Sequence, residues 1–467
     1  MTDLLSALKA HHPASVPMHM PGHMRNEALF PYLKELGAKY DITEITGFDD
    51  LHNPEGILLE SMKRAASLWG SDETRCLIGG STCGIAASVY ALLSGGGRAL
   101  CARNAHKSLY HALEITGAQA VFLPGGFDEE TGEALMIDPC EVEKALDENE
   151  DIRFVFIVSP TYEGVISDVE SICRIAHKRN IPVIVDEAHG AHLDLFGAFP
   201  GGAVRAGADI VIQSLHKTLA SLTQTAIMHI NGNRVDVKSI DHALDIFETS
   251  SPSYLLMASV DGCVRLLEDK GDEILSRWKK MTLDFRKKAE KLKNIRVYKP
   301  GKAFLFDDSK LILTCDALSG AEIKDVLRDR FSIELEAAYA RYAIAMTGAG
   351  TTEEMLKKLL DALFIIDAEI ENEKKRIGKA VNVPLPKAVM TARAALQTPY
   401  ECVRTENALG RVAAEYQWAY PPGVPVVAPG EVIDEGVLCA LKELTDFRLN
   451  LIRTRSGEGE IAVLLHK

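Results

Sequence analysis

Between residues 74 and 230 the chain repeats one pattern: a short apolar run, then a stretch whose apolar side chains recur at helical spacing. Strand-like runs fall at 74–78, 98–102, 119–123, 153–158, 182–186, 210–214 and 225–230. Helical stretches lie at 57–69, 85–93, 108–116, 141–148 and 170–179. Strands that alternate with helices in this way need crossover connections, and they predict a parallel sheet covered on both faces. The expectation is an α/β chain whose large domain, residues 55–255, is built on a mostly parallel seven-stranded sheet.

The texture changes after Pro252. Two charged amphipathic helices, interrupted near Gly271, are predicted over 253–292, followed by a strand pair over 303–315 that turns at Asp307 and Asp308. A helix over 319–330, a strand over 343–347 and a helix over 353–377 complete what reads as interdomain helices and a small α+β domain, residues 256–377. Residues 378–467 read as a further C-terminal domain. The prolines between 420 and 430 exclude a continuous helix or a central strand there, and the valines at 424, 426 and 427 favour an ordered extended segment. Residues 1–54 read as an N-terminal segment and interface loop.

With 467 residues the chain exceeds a single compact core. Its 47% apolar and 25% charged residues are ordinary for a soluble protein, and a net charge of -14 disfavours nucleic acid and anionic membranes as partners. No run approaches the length of a membrane span and the N-terminus lacks a signal-like apolar core, so the expected location is cytoplasmic. Nine cysteines without a C-x-x-C pair suggest reduced thiols. His19 and His23 share one loop without carboxylate or cysteine company, and no metal site is expected.

Three stretches carry chemistry. The run Ser214, Leu215, His216, Lys217 follows an apolar strand, so Lys217 stands at a strand's carboxyl end, where open α/β sheets place ligands. Such a lysine can form a Schiff base with pyridoxal phosphate; the bland alternative is a strand-end lysine reaching solvent. Gly79 to Gly84 (GGSTCG) lies between a strand and a helix and reads as a phosphate cradle or a plain glycine-rich turn. Asp186 ends the apolar run 181–186, where a carboxylate is costly to bury unless a cation meets it. A protonated pyridine nitrogen is one such cation; a cap for the next turn, or a metal ligand with His189 and His192, are the others. One βα unit fits between Asp186 and Lys217, which puts both at one sheet edge. A phosphate, a pyridinium and an aldehyde are the handles of a single cofactor.

These stretches, with Met20-Pro-Gly-His23, Asn104-Ala-His-Lys-Ser108, Asp186-Glu-Ala-His-Gly-Ala-His192, Thr249-Ser-Ser-Pro-Ser-Tyr254 and Tyr420-Pro-Pro-Gly-Val-Pro425, resemble the Orn/Lys/Arg decarboxylase family of fold type I pyridoxal-phosphate enzymes, in the short form without an N-terminal wing domain. The resemblance implies an aspartate-aminotransferase-like large domain plus smaller α+β C-terminal domains. It implies that Lys217 holds pyridoxal 5'-phosphate, that Asp186 keeps the ring nitrogen protonated, and that His106 stacks on the ring. Ser81, Thr82, Ser214 and His216 would bind the phosphate, His189 would face the ring hydroxyl or the substrate, and Thr249 or Ser250 would reach the phosphate of a neighbouring subunit in a homodimer or larger assembly. The implied reaction is decarboxylation of a basic L-amino acid, arginine before lysine before ornithine, as in polyamine biosynthesis. The rival readings are transamination or β-elimination on the same scaffold, and a catalytically silent homologue that acts as a binding partner. Asp49, Asp50, Glu55 and Glu163 are unranked candidates for meeting the substrate's distal cation.

Overall fold

The computed structural model describes residues 3–11, 16–132, 134–299, 305–370, 384–419, 423–447 and 449–465. Two compact units divide the chain: Met1–Ala91 with Ile184–Ser276, and Leu92–Val183 with Arg277–Lys467. All seven expected strands are present.

Four of them belong to the first unit, in the order Glu73–Leu77, Ala226–Ile230, Ile210–Ser214, Val183–Asp186. Every residue of the last three is buried, as expected of apolar runs covered on both faces. Val183–Asp186 and Ile210–Ser214 run parallel. Ala226–Ile230 runs against both its neighbours, because the connection from Ser214 is too short for a parallel crossover. Helix Ile57–Trp69 buries Leu58, Met62, Ala65, Ala66 and Trp69, the face its period predicts.

Two expectations for this unit are corrected, and one helix was not expected. The glycine-rich run is not a loop ahead of a helix at 85: the helix spans Gly80–Leu93, so Ser81 and Thr82 lie in its first turn. Gly84 lets that helix close on the sheet, since a Cβ there would stand 2.6 Å from Leu77 Cδ1. The predicted break at Gly271 is absent. A single helix runs Tyr254–Ala289, and the glycine is there to make room, because a Cβ would stand 2.2 Å from the Phe196 ring. Helix Val237–Phe247, capped by Asp236, went unpredicted.

The second unit holds the other three strands, Ile152–Val158, Arg98–Ala102 and Gln119–Leu123, all parallel. A four-stranded sheet follows in the order Ala337–Ala338, Tyr342–Met346, Lys310–Cys315, Ile295–Tyr298. It packs its buried Leu311 and Leu313 against Ile323 and Leu327 of helix Gly320–Phe331 and Leu363 of helix Glu353–Glu369. The strand pair expected over 303–315 does not form. Leu305–Phe306 pairs with Val165–Ile166, while Lys310–Cys315 takes both its partners from the small sheet. Asp307 turns inward instead, accepting from Ser309 N and Oγ. The start of that predicted pair, and the charged tail predicted for the helix at 353, lie outside the described residues.

Near the C-terminus, Val424–Val427 is an edge strand, the position proline tolerates. The Tyr420, Pro421 and Pro422 of that motif lie outside the described residues. Arg103, three residues before His106, forms a doubly bonded ion pair with Glu431: Nη1 donates to Oε1 at 2.6 Å and Nη2 to Oε2 at 3.0 Å, with 1% and 3% of the side chains exposed. Among the described residues no helix is long and apolar enough to cross a membrane.

Candidate active site

The carboxyl ends of Val183–Asp186 and Ile210–Ser214 lie side by side, because Asp186 and Ile212 are register partners in a parallel pair. Asp186 ends the first strand and Lys217 stands in the short helix Leu215–Thr218 that follows the second. Lys217 Nζ is 3.0 Å from His189 Nε2. An ammonium can only donate, so with Lys217 charged the imidazole accepts at Nε2 and keeps its proton at Nδ1. Asp186 is 5% exposed and accepts from Ala188 N at 3.1 Å. Burial pushes its carboxyl above the usual range, and the Lys217 charge pulls it part of the way back. A carboxylate is costly to bury unless a cation meets it, and the Lys217 charge already acts on this one.

Ser81 Oγ and Ser214 Oγ are 2.7 Å apart, which ties the first turn of helix Gly80–Leu93 to the end of the strand that leads to Lys217. The unused N–H groups of such a turn favour an anion. Thr82 is exposed in the same turn. His216 donates from Nδ1 to the Thr225 carbonyl at 2.9 Å, which fixes its orientation, and burial pushes its pKa down. One participant was missed in the sequence. Glu248, 9% exposed, accepts from Ile78 N and Gly79 N at 3.0 Å and holds the strand-to-helix turn from below. No local pattern announces a carboxylate so far along the chain.

Thr249 and Ser250 are exposed just beyond Glu248; the Thr249 carbonyl accepts from His52 Nε2 at 2.9 Å. His106 belongs to the second unit. It caps helix Lys107–Thr116, its Nδ1 accepting from Ser108 N at 3.3 Å. Asp49 is removed from the candidates for a substrate cation, because its two oxygens accept from the N–H groups of Glu55, Gly56, Leu58 and Leu59 at 2.7 to 3.4 Å. Burial alone would raise its carboxyl, but these donors outweigh it and the pKa lies below the ordinary value. Asp49→Ala is therefore expected to lower stability by about 1–2 kcal/mol at neutral pH. Since the folded pKa is depressed, this contribution is complete above the unfolded-state pKa and disappears as pH falls through the folded one. Urea midpoints of both proteins from pH 7 to pH 3 should converge.

Asp186, Lys217 and the Ser81–Ser214 turn fit a group with a cationic ring atom, a carbonyl and an anionic tail. The profile of the Orn/Lys/Arg decarboxylase major domain matches residues 2–333, and that of the C-terminal domain matches 374–450. The arginine decarboxylase of Bacillus anthracis is 31% identical over 450 residues, covering 93% of this chain and 91% of that one, and the arginine decarboxylase of Bacillus subtilis is 31% identical over 448 residues, with the same coverage. Among solved structures, the constitutive lysine decarboxylase of Escherichia coli superimposes with a TM-score of 0.82 at 20% identity over 99% of this chain and 82% of that one. The alanine–glyoxylate aminotransferase of Nostoc sp. superimposes with a TM-score of 0.55 at 14% identity, over 68% of this chain and 88% of that one. The sheet and its crossover helices are thus those of the fold type I α/β enzymes. Within that class the chain belongs to the Orn/Lys/Arg decarboxylase family and is an amino-acid decarboxylase.

Proposed function

We propose that the protein removes the α-carboxylate of a basic L-amino acid as CO2, arginine first, using pyridoxal 5'-phosphate, in the cytoplasm and as a homodimer or larger assembly. The contact that carries this reading is Lys217 Nζ against His189 Nε2 at 3.0 Å, beside the buried Asp186. The arginine decarboxylases that share 31% identity over nine-tenths of the chain support arginine ahead of lysine and ornithine.

When bound, the cofactor supplies an electron sink for the pair released as the bond from Cα to the carboxylate breaks. Lys217 would hold its aldehyde carbon, and Asp186 its ring nitrogen. Asp186 has the negative charge and the dry surroundings to keep that nitrogen protonated. Ser81, Thr82, Ser214 and His216 would hold the phosphate at the first turn of helix Gly80–Leu93, with Thr249 or Ser250 from a neighbouring copy. His106 would cover the ring face. His189 orients the Lys217 amine, and the short path between Nζ and Nε2 lets a proton pass between them as one arrives at Cα. Purified protein given cofactor and then arginine, lysine or ornithine separately should yield CO2 and the matching amine, fastest from arginine. Keto acid without CO2 from all three would instead mean transamination or elimination.

A further inference from the structure

Gln224 stands in the turn between the short helix that carries Lys217 and strand Ala226–Ile230, and its φ of 84° lies in the left-handed region that residues with a side chain avoid. The residue is exposed, so burial of its side chain does not offset the strain. Its contacts supply the reason. Gln224 Nε2 donates to the Ile78 carbonyl at 2.5 Å, reaching across 146 positions to the strand-to-helix turn ahead of helix Gly80–Leu93. Its own carbonyl oxygen faces Gly80, where an added Cβ would stand 3.5 Å away. The residue that follows orients a second member of the proposed phosphate set, because the Thr225 carbonyl is the one that accepts from His216 Nδ1. Strain of this kind persists where the surroundings over-determine a conformation, and it concentrates at functional sites.

Two side chains from distant segments therefore grip one turn. Gln224 takes the carbonyl of Ile78, while Glu248 takes the N–H groups of Ile78 and Gly79 at 3.0 Å. With the N–H and the carbonyl of Ile78 both engaged, the backbone entering the helix is held in one orientation, and the free N–H groups of the first helical turn keep one direction. An anion gains most from such groups when they already converge as it arrives; otherwise part of the binding free energy goes into ordering the turn. Ile78 is 1% exposed, so water has little access to its carbonyl in place of the amide. Glu248 brings a negative charge to the same turn, which by itself opposes an anion, whereas the neutral amide of Gln224 fixes the turn without that penalty.

We propose that Gln224 is a positioning residue for the cofactor's phosphate: through Ile78 and through the Thr225 carbonyl it presets the first turn of helix Gly80–Leu93 and the ring of His216. The inference rests on the cofactor reading above and adds a residue that acts through others. Absorbance titration of cofactor-free protein with pyridoxal 5'-phosphate and, separately, with pyridoxal, which lacks the phosphate, isolates that role. Gln224→Leu should weaken binding of pyridoxal 5'-phosphate about five- to tenfold and leave that of pyridoxal within about twofold. Gln224→Gly, which adopts the left-handed conformation without strain, should weaken binding of the phosphate form as much while its melting temperature does not fall. With excess cofactor both variants should reach a kcat within about twofold of wild type. Unchanged affinity for pyridoxal 5'-phosphate in both variants overturns the proposal, as does equal weakening of both ligands, the mark of a merely structural residue. If the phosphate form alone loses affinity in the variants while wild type releases no CO2 from any basic amino acid, the decarboxylase reading fails and this proposal stands.

Discussion

Replacing Lys217 with alanine should lower CO2 release by a factor on the order of 10⁴, because in the proposed reaction this one side chain would both anchor the cofactor and move a proton. Borohydride reduction of the loaded wild type should place its label on the peptide containing residue 217, and the variant should take up none. Lys217 is half-buried in a four-residue helix, with no large apolar surface to lose, so circular dichroism should find the variant folded. A solvent-reaching, structural lysine would give the opposite pattern: labelling elsewhere or nowhere, and activity within a few-fold of wild type.

The second large effect concerns stability. Glu431→Ala strips the partner from a guanidinium that is 1% exposed, and an unpaired buried charge costs about 3–5 kcal/mol. Arg103 also contacts the Pro384 carbonyl at 3.1 Å and lies over the Phe122 ring, so it cannot swing out to water without giving up several neighbours. The double variant Arg103→Met with Glu431→Leu should recover most of the loss, since apolar side chains of similar volume need no counter-charge. Guanidinium unfolding of the two single variants and the double variant measures the coupling directly.

How legible these features were depends on how far apart in sequence their causes lie. The central strands Val183–Asp186, Ile210–Ser214 and Ala226–Ile230 could be read because strands buried on both faces are largely apolar, and helices such as Ile57–Trp69 because their buried face repeats locally. The placement of Lys217 and Asp186 at one sheet edge could be read because a charged residue closing an apolar run is itself a local anomaly. The failures share the opposite character. Gly271 looks like a helix breaker until Phe196 is seen against it, and Leu305–Phe306 looks like half of a hairpin until Val165–Ile166 supplies the partner. Asp49 looked like a free loop carboxylate although it is engaged by the backbone of the following turn. The family resemblance supplied roles for Ser81 and Ser214, but only the coordinates showed their hydroxyls in contact.

The two-segment make-up of the first unit bears on how the protein is born. Ser81 and Ser214 are 133 positions apart, so at about 5–20 residues per second the ribosome needs roughly 7–27 s to deliver the second after the first. Throughout that interval strand Glu73–Leu77 is without its neighbour Ala226–Ile230, and the nascent chain carries an unpaired sheet edge. Assembly of the lysine site is therefore a late event in synthesis, and pausing or truncation anywhere before residue 230 leaves a sticky intermediate in place of a smaller working enzyme.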